Sequence, residues 1–410
     1  MNEPPIVGRD VMIDGEPFAL VVTTHHEGVI ATTAIHRHDF ERRIGGARFV
    51  ETARGLSEVG HLSSTMTEKC MAAMIPADGQ KTVIVTGPGN ALSEERRAAI
   101  LVEHVRVVRD LDPGTIVGPD MNNPESVQDR AARSEGMLDH FTGLSEANRG
   151  LSIDKYGYTA HGLVAAIRAC IDDKSLANQR VSIQGFGAVG GHVGRLLAEL
   201  GARIVAVSNK DVLFTNPEGL DIPSLWAHRL AHGDEGLKSY SSNANGFRAS
   251  SSPDDIFLVP ADIFVPAGRT DVLATTGELE HDRQSENPDV RDVADFHAAT
   301  GVSLVVEGAN YPLSLEAERW LESKGVRILP DFIVNCGGLI GCWVEWEARH
   351  RDGLRPVVDL KVVGQSALER IRKTVAENVR ELLASNVSAR GAAERIVARN
   401  RVRLRADANV

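Results

Sequence analysis

The sequence predicts an α/β protein, with an N-terminal α/β domain and then a doubly wound domain built on a parallel sheet. Three observations predict it. From about residue 158, short apolar runs alternate with helical patterns, as a sheet covered by helices requires. One such run, Val181–Ile183, leads into Gly185-Phe186-Gly187-Ala188-Val189-Gly190 and then the amphipathic stretch His192–Leu200. Before about residue 145 the style differs and mixes β-rich runs with helical ones.

In the first part, Val29–Ile35 and Thr82–Thr86 are β-rich, and Val50–Cys70 and Glu94–Asp110 have helical periodicity. Asp112-Pro113-Gly114 is a turn, followed by the apolar pair Ile116-Val117 and then Gly118-Pro119-Asp120. In the second part, strands are expected at Val181–Ile183, Arg203–Val207, Ile263–Val265, Ser303–Val306 and Arg327–Leu329, with helices such as Val193–Leu200 between them. Ser239–Pro253 and Glu278–Asp292 have the composition of solvated surface loops. Leu360–Arg405 reads as helix, with Leu360, Val363, Leu368, Ile371, Val375, Val379 and Leu382 forming an apolar stripe.

Length and composition narrow the function classes. At roughly 150 residues per domain, 410 residues predict two or three domains. With 45 Lys+Arg against 56 Asp+Glu the net charge is −11, which argues against a general nucleic-acid binder. Cys70, Cys170, Cys336 and Cys342 are far apart and form no CxxC pair, so neither structural zinc nor a disulfide framework is expected. Cys336 and Cys342 read as small buried hydrophobes, and the His36/His38/Asp39 group as edge or turn residues, so no metal site is expected. Met1–Pro5 begins no signal peptide, and no apolar run reaches the ~18 residues of a membrane span. A reducing, cytoplasmic location without membrane partners is the expectation.

A GxGxxG sequence alone is weak, because glycine is common here, at 38 residues. Its place between a strand and a helix strengthens it. Glycines at this spacing permit a tight turn, close approach of backbone to a pyrophosphate, and close helix–strand packing. The helix N-terminus offers oriented N–H groups to phosphates. Gly185, Phe186, Gly187, Ala188, Val189 and Gly190 are therefore candidates for a Rossmann dinucleotide site, against the alternative of a plain tight turn. The next strand ends Val207-Ser208-Asn209-Lys210-Asp211. The position that often carries a ribose-binding carboxylate is Ser208, so nothing there repels a 2′-phosphate, and Lys210 is able to pair with one. Asp211 remains available to ribose hydroxyls, and NAD and NADP both stay open.

Lys69 and Lys81 are set among apolar and small residues. A lone lysine is usually solvated, but two partly desolvated cations depress one another's pKa and yield a usable base. Asp120 follows an apolar run and a Gly-Pro turn, where it exchanges protons or simply caps a turn.

These segments together resemble the glutamate/leucine/phenylalanine/valine dehydrogenase superfamily, in order, from about residue 29 to 400. Gly45-Gly46-Ala47-Arg48 resembles its GGxR segment, Met66-Thr67-Glu68-Lys69 its M-T-x-K segment, and Gly118-Pro119-Asp120 its catalytic aspartate segment. Lys81 falls where the family's glycine-rich segment ends in a catalytic lysine. Thr159-Ala160-His161-Gly162, Glu307-Gly308-Ala309-Asn310, Leu329-Pro330-Asp331, Asn335-Cys336-Gly337-Gly338 and Glu345-Trp346 follow in family order. Arg390 resembles a packing residue of the family's C-terminal helix.

The resemblance implies oxidative deamination of an amino acid to a 2-oxo acid and ammonia, with hydride passing to NAD or NADP. Lys69 would hold the substrate carboxylate, Lys81 would activate water, and Asp120 would shuttle protons to the amino nitrogen. Thr159, Ala267, Asn310 and Asn335 join Ser208, Asn209 and Lys210 as cofactor-side candidates. It also implies a homo-oligomer, with the site in the cleft between domains. The division expected is 1–150 for substrate, catalysis and assembly, 151–360 for the nucleotide, and 361–410 as helices returning near the first domain.

Glutamate enzymes of this family carry a lysine before the GGxR glycines and a serine seven residues after the Asn of N-A-G-G. Here those positions are Ile44 and Cys342, and Leu339 aligns with another pocket residue. A carboxylate facing them would be buried without a partner, so the pocket formed with Gly45 and Gly46 is expected to be apolar, of the leucine/phenylalanine type. One departure is larger. The family's Gly-Gly-Gly before the catalytic lysine is here Asp78-Gly79-Gln80. Asp78 would then meet an unusual substrate, or pair with Lys69 or Lys81, or impair the site and leave a nucleotide-binding regulatory or scaffold homologue.

Overall fold

The computed structural model describes residues 3–52, 55–171, 176–177, 179–282, 290–351 and 359–408. The chain folds as two compact units. One comprises Met1–Ile153, Gly338–Arg370 and Glu394–Val410, and the other Asp154–Gly337 and Ile371–Ala393. Residues 338–360, expected with the nucleotide domain, thus cluster with the first unit, and only part of the C-terminal helical tail does so.

The first unit holds six strands, β1 Ile6–Ile13, β2 Glu16–His26, β3 Val29–Ile35, β4 Arg42–Val50, β5 Ala77–Val85 and β6 Thr115–Gly118, in the order β1-β2-β3-β5-β4-β6. Two-residue hairpins start it. Asp14 and Gly15, at φ 49 and 82, join β1 to β2, and Glu27 and Gly28, at φ 46 and 85, join β2 to β3. Positive φ at both turn residues matches the right-handed twist of paired strands. β5 lies between antiparallel β3 and parallel β4. Helix Leu56–Ala72 packs on one face of this sheet. Helix Glu94–Leu111, capped by Ser93 Oγ accepting the Arg96 N–H, places Ile100, Leu101 and Val105 in a buried cluster with Ala31, Phe49 and Ile84. Val50 therefore ends a strand instead of opening a helix.

Among its described residues the second unit has nine strands, seven of them in one sheet: β7 Arg180–Gln184, β8 Arg203–Ser208, β9 Leu213–Thr215, β10 Arg248–Ser250, β11 Ile263–Pro266 and, beyond a separate short parallel pair β12 Leu273–Ala274 and β13 Arg291–Asp292, β14 Leu304–Val306 and β15 Arg327–Leu329. The order in the seven-stranded sheet is β10-β9-β8-β7-β11-β14-β15, with every pairing parallel except β8–β9 and β9–β10. All five expected parallel strands are present. Within Ser239–Pro253, expected as loop, β10 pairs with β9. Of Glu278–Asp292, residues 283–289 lie outside the described residues, and Thr276–Asp282 is helical. The tail is two helices, Leu360–Leu383 and Ala389–Ala408, and Ile371, Val375, Val379 and Leu382 of its stripe are buried. Among the described residues, no helix is long and apolar enough to cross a membrane.

Candidate active site

β5 carries Lys81 with its side chain on the face toward helix Leu56–Ala72, and strand alternation turns Asp78, Gln80 and Thr82 to the other face. β6 ends at Gly118, and the turn after it is fixed from several sides. Asn123 donates its backbone N–H to the Asp120 carbonyl and its side-chain amide to the Ala47 carbonyl, and Gln128 donates to the Gly118 carbonyl. This sets Asp120 over β4, at Gly46. A Cβ there would come 2.9 Å from the Asp120 Cβ and 3.4 Å from Lys81 Nζ, so glycine is what lets the two groups meet. At Gly45 a Cβ would collide with the Gln80 carbonyl.

Lys81 Nζ stands 2.5 Å from Asp120 Oδ2, and Arg48 Nε donates to the same oxygen at 2.8 Å. Lys81 is almost fully enclosed. Burial, with the positive charges of Arg48 and Lys69, lowers its pKa to about 8, although Asp120 opposes the shift. Burial alone would raise the Asp120 carboxyl, but Lys81 and Arg48 outweigh it and hold it well below the usual carboxylate range. The result is a fixed carboxylate beside an amine able to change protonation near neutral pH, which is the combination general acid–base chemistry needs. Arg48 was not among the site residues expected from sequence. The signal was its even spacing from Ile44 and Gly46 along one strand face.

Lys69 lies in the last turn of helix Leu56–Ala72 and is buried. Ile44 pairs in register with Gly79 and Ile116, and Leu339 and Cys342 are one turn apart on helix Gly337–Arg351; all three are buried. The Cys342 thiol lies near Gly118 and Gly143, and Thr142 Oγ1 donates to its carbonyl. Next on that helix, Glu345 accepts the N–H groups of Leu144 and Leu151 and the hydroxyl of Thr142.

Asp78 requires a correction. It pairs with neither lysine, and it lies on the strand face away from Lys81. Its Oδ2 accepts the N–H groups of Asp39 and Phe40, at 2.6 and 2.9 Å, and burial pushes its carboxyl up. Gln80 on the same face donates to the Ile116 carbonyl. Both residues that replace family glycines therefore support the sheet from behind.

In the second unit, Gly185 has φ +94, and a Cβ there would come 2.4 Å from the Gly268 Cα. At Gly190 a Cβ would come 1.9 Å from the Gly185 carbonyl, whereas at Gly187 nothing lies within 4 Å. The first and third glycines are thus demanded by the fold, and the second opens onto free space at the N-terminus of helix Ala188–Glu199, as a phosphate cradle requires. Phe186 is buried, and Ala188 and Val189 begin the helix. The Ser208 carbonyl accepts the N–H groups of Gly185 and Phe186, and its side chain is buried. Asn209 Oδ1 accepts the N–H groups of Asp211 and Val212, Lys210 is exposed, and Asp211 pairs with Lys238 at 3.1 Å.

The remaining cofactor-side candidates gather at the carboxyl ends of β11, β14 and β15. Ala267 donates its N–H to the Gln184 carbonyl, and a Cβ at Gly308 would come 2.9 Å from the Ala267 Cβ. Asn335 Nδ2 donates to the carbonyls of Gly308 and Ala309 and to Asn310 Oδ1. Thr159 abuts Gly337, where a Cβ would lie 3.1 Å from the Thr159 Cα. The strand order reverses between β7 and β11, the switch point at which doubly wound sheets bind dinucleotides.

Comparison with known proteins bears on the family and the fold. Residues 150–404 match the profile of the family Glutamate/Leucine/Phenylalanine/Valine dehydrogenase. The catabolic NAD-specific glutamate dehydrogenase RocG of Bacillus subtilis is 28% identical over 316 residues, covering 74% of this chain and 66% of that protein. Glutamate dehydrogenase A2 of Halobacterium salinarum is 30% identical over 312 residues, covering 74% of this chain and 68% of that protein. The hetero-hexameric glutamate dehydrogenase of Thermus thermophilus has the same fold, with a TM-score of 0.74 at 22% identity over 98% of this chain and 88% of that one. The Plasmodium falciparum glutamate dehydrogenase superposes with a TM-score of 0.73 at 16% identity, over 98% and 84%. On the extent of the profile match and the agreement of both sheets, the chain belongs to the Glutamate/Leucine/Phenylalanine/Valine dehydrogenase family, oxidoreductases acting on the CH–NH2 group of amino acids.

Proposed function

We propose that this chain is an NAD(P)-dependent dehydrogenase that deaminates an L-amino acid with an apolar or unusual side chain to its 2-oxo acid and ammonia, and runs the reverse amination. The observation that carries this reading is the enclosed Lys81–Asp120 pair, with a lysine pKa near 8. Lys69 binds the substrate carboxylate. Deprotonated Lys81 takes a proton from the water that adds to the imine carbon, and Asp120 carries protons to and from the amino nitrogen. Gly185–Gly190, Ser208, Asn209 and Lys210 hold the adenosine and pyrophosphate side of the dinucleotide, and Thr159, Ala267, Asn310 and Asn335 the other side. The bound nicotinamide supplies the hydride acceptor. Enzymes of this family use NAD or NADP, and the buried Ser208 with the exposed Lys210 favours neither.

The named relatives are glutamate dehydrogenases, and the pocket residues speak against glutamate here. Ile44, Leu339 and Cys342 are all buried and supply no cation for a distal carboxylate. Edge strand β1 leaves Ile6, Val7 and Met12 exposed, which supports assembly with further copies of the chain. A panel of L-amino acids with NAD and NADP separately, following reduced nicotinamide, tests the reading, with Lys81→Ala as control. Turnover of an apolar amino acid that this substitution abolishes supports it. Glutamate outpacing every apolar substrate overturns the pocket, and cofactor binding with no turnover favours a non-catalytic homologue.

A further inference from the structure

Arg390, in the first turn of helix Ala389–Ala408, is nine-tenths buried and takes no part in the chemistry described above. Its guanidinium meets three carboxylates from three separate elements. Nη2 donates to Glu307 Oε2 at 3.0 Å, just past β14, and Nη1 donates to Asp331 Oδ1 at 2.9 Å, just past β15. Nε donates to Glu318 Oε2 at 3.2 Å, on helix Leu315–Ser323, and Nη2 also reaches Glu318 Oε1. The rings of Tyr311 and Phe332 lie 5.2 and 5.1 Å from the guanidinium carbon.

The carboxylates in turn fix backbone. Glu307 Oε2 accepts the Asp331 N–H, and Asp331 Oδ2 accepts the Tyr311 N–H. Segments 307–311 and 331–335 are therefore locked to each other, and they carry Asn310 and Asn335, themselves joined by a 3.2 Å hydrogen bond. In a doubly wound sheet each half receives one mononucleotide. The glycine loop belongs to the β7–β8 half, and these two segments belong to the β11–β14–β15 half.

We propose that Arg390 is a positioning residue for the second mononucleotide of the cofactor, acting through Glu307 and Asp331 on Asn310 and Asn335. This rests on the dinucleotide reading above. A guanidinium is suited to the task because its fork makes several directed bonds at once, which an ammonium does not reproduce.

The test compares two probes on the folded chain, the oxidised dinucleotide and ADP, which carries only the adenosine and pyrophosphate part. Dissociation constants come from calorimetry on the wild type, Arg390→Lys and Arg390→Met. The expected result is a loss of about tenfold or more in dinucleotide affinity for Arg390→Met, with ADP affinity within about twofold, since a broken buried pair distorts what it held. Arg390→Lys is expected to fall between. Equal losses for both probes would show a purely structural residue and overturn the proposal, as would an unchanged dinucleotide affinity. A wild type that binds ADP but not the dinucleotide overturns the dinucleotide reading and the proposal with it; wild-type binding with unchanged variants overturns the proposal alone.

Discussion

Lys81 Nζ and Asp120 Oδ2 stand 2.5 Å apart, and the location of the proton between solvent and this pair decides what the pair does. Asp120 stays ionised throughout the working range, so the titrating member is Lys81, with a pKa near 8. Below that pH the amine is protonated and cannot act as base; above it the amine is neutral. Deamination kcat/KM is expected to rise about tenfold per pH unit up to about 8 and then level, while amination, which needs the protonated lysine, falls above it. Initial rates in both directions between pH 6 and 10 check this.

Arg48 lowers the Lys81 pKa by its charge. Arg48→Met is therefore expected to move the deamination limb to higher pH as well as to slow the reaction. A slower enzyme with an unmoved limb would show that Arg48 only orients Asp120.

Two glycines should respond oppositely to alanine. At Gly79 a Cβ falls 2.2 Å from the Ser63 carbonyl and 2.3 Å from the Thr67 nitrogen, so Gly79→Ala is expected to cost roughly 1–3 kcal/mol and to displace Lys81. At Gly187 the space is open and φ is −92, so Gly187→Ala should hold stability within about 0.5 kcal/mol while weakening cofactor binding. Thermal unfolding and cofactor titration of both variants separate the two effects.

Asp78 gives a sharp contrast between support and chemistry. Asp78→Asn keeps an acceptor for the Asp39 and Phe40 N–H groups and is expected to leave turnover near wild type. Asp78→Ala orphans both donors and is expected to cost about 1–3 kcal/mol. Denaturant unfolding with kcat measured alongside decides it. A collapse of kcat in a stable Asp78→Asn enzyme would return this carboxylate to the active site.

Glu345 accepts two backbone N–H groups and lies 3.4 Å from Arg349. Glu345→Ala would remove that buried guanidinium's nearest carboxylate and orphan the Leu144 and Leu151 N–H groups, and a loss of roughly 3–5 kcal/mol is expected in chemical denaturation.

The second unit was legible because buried parallel strands are continuous apolar runs, as at Ile263–Val265 and Leu304–Val306, and because the glycine pattern falls between a strand and a helix. The first unit was less so. Near its start β5 carries Asp78, Gly79 and Gln80, which conceal a strand visible only from Thr82 onward, and Gly45-Gly46 does the same for β4. The hairpins at Asp14-Gly15 and Glu27-Gly28 were signals that went unused. Lys69, Lys81 and Asp120 stood out by type and setting, but Arg48 gains its partner only once the turn after β6 brings Asp120 across. Arg390 depends likewise on three carboxylates that folding gathers from residues 307, 318 and 331.

β5 pairs with β3 at Lys81 itself, opposite Ala34, and with β4 on either side of it, at Gly79 and Thr82. The backbone that aims the Lys81 amine is thus held by the sheet on the β3 side and at both flanks toward β4, and its release is expected to follow the opening of the sheet. If Lys81 acts as proposed, thermal inactivation and the slowest amide exchange with heavy water are expected to coincide, so that the base is lost only together with the fold.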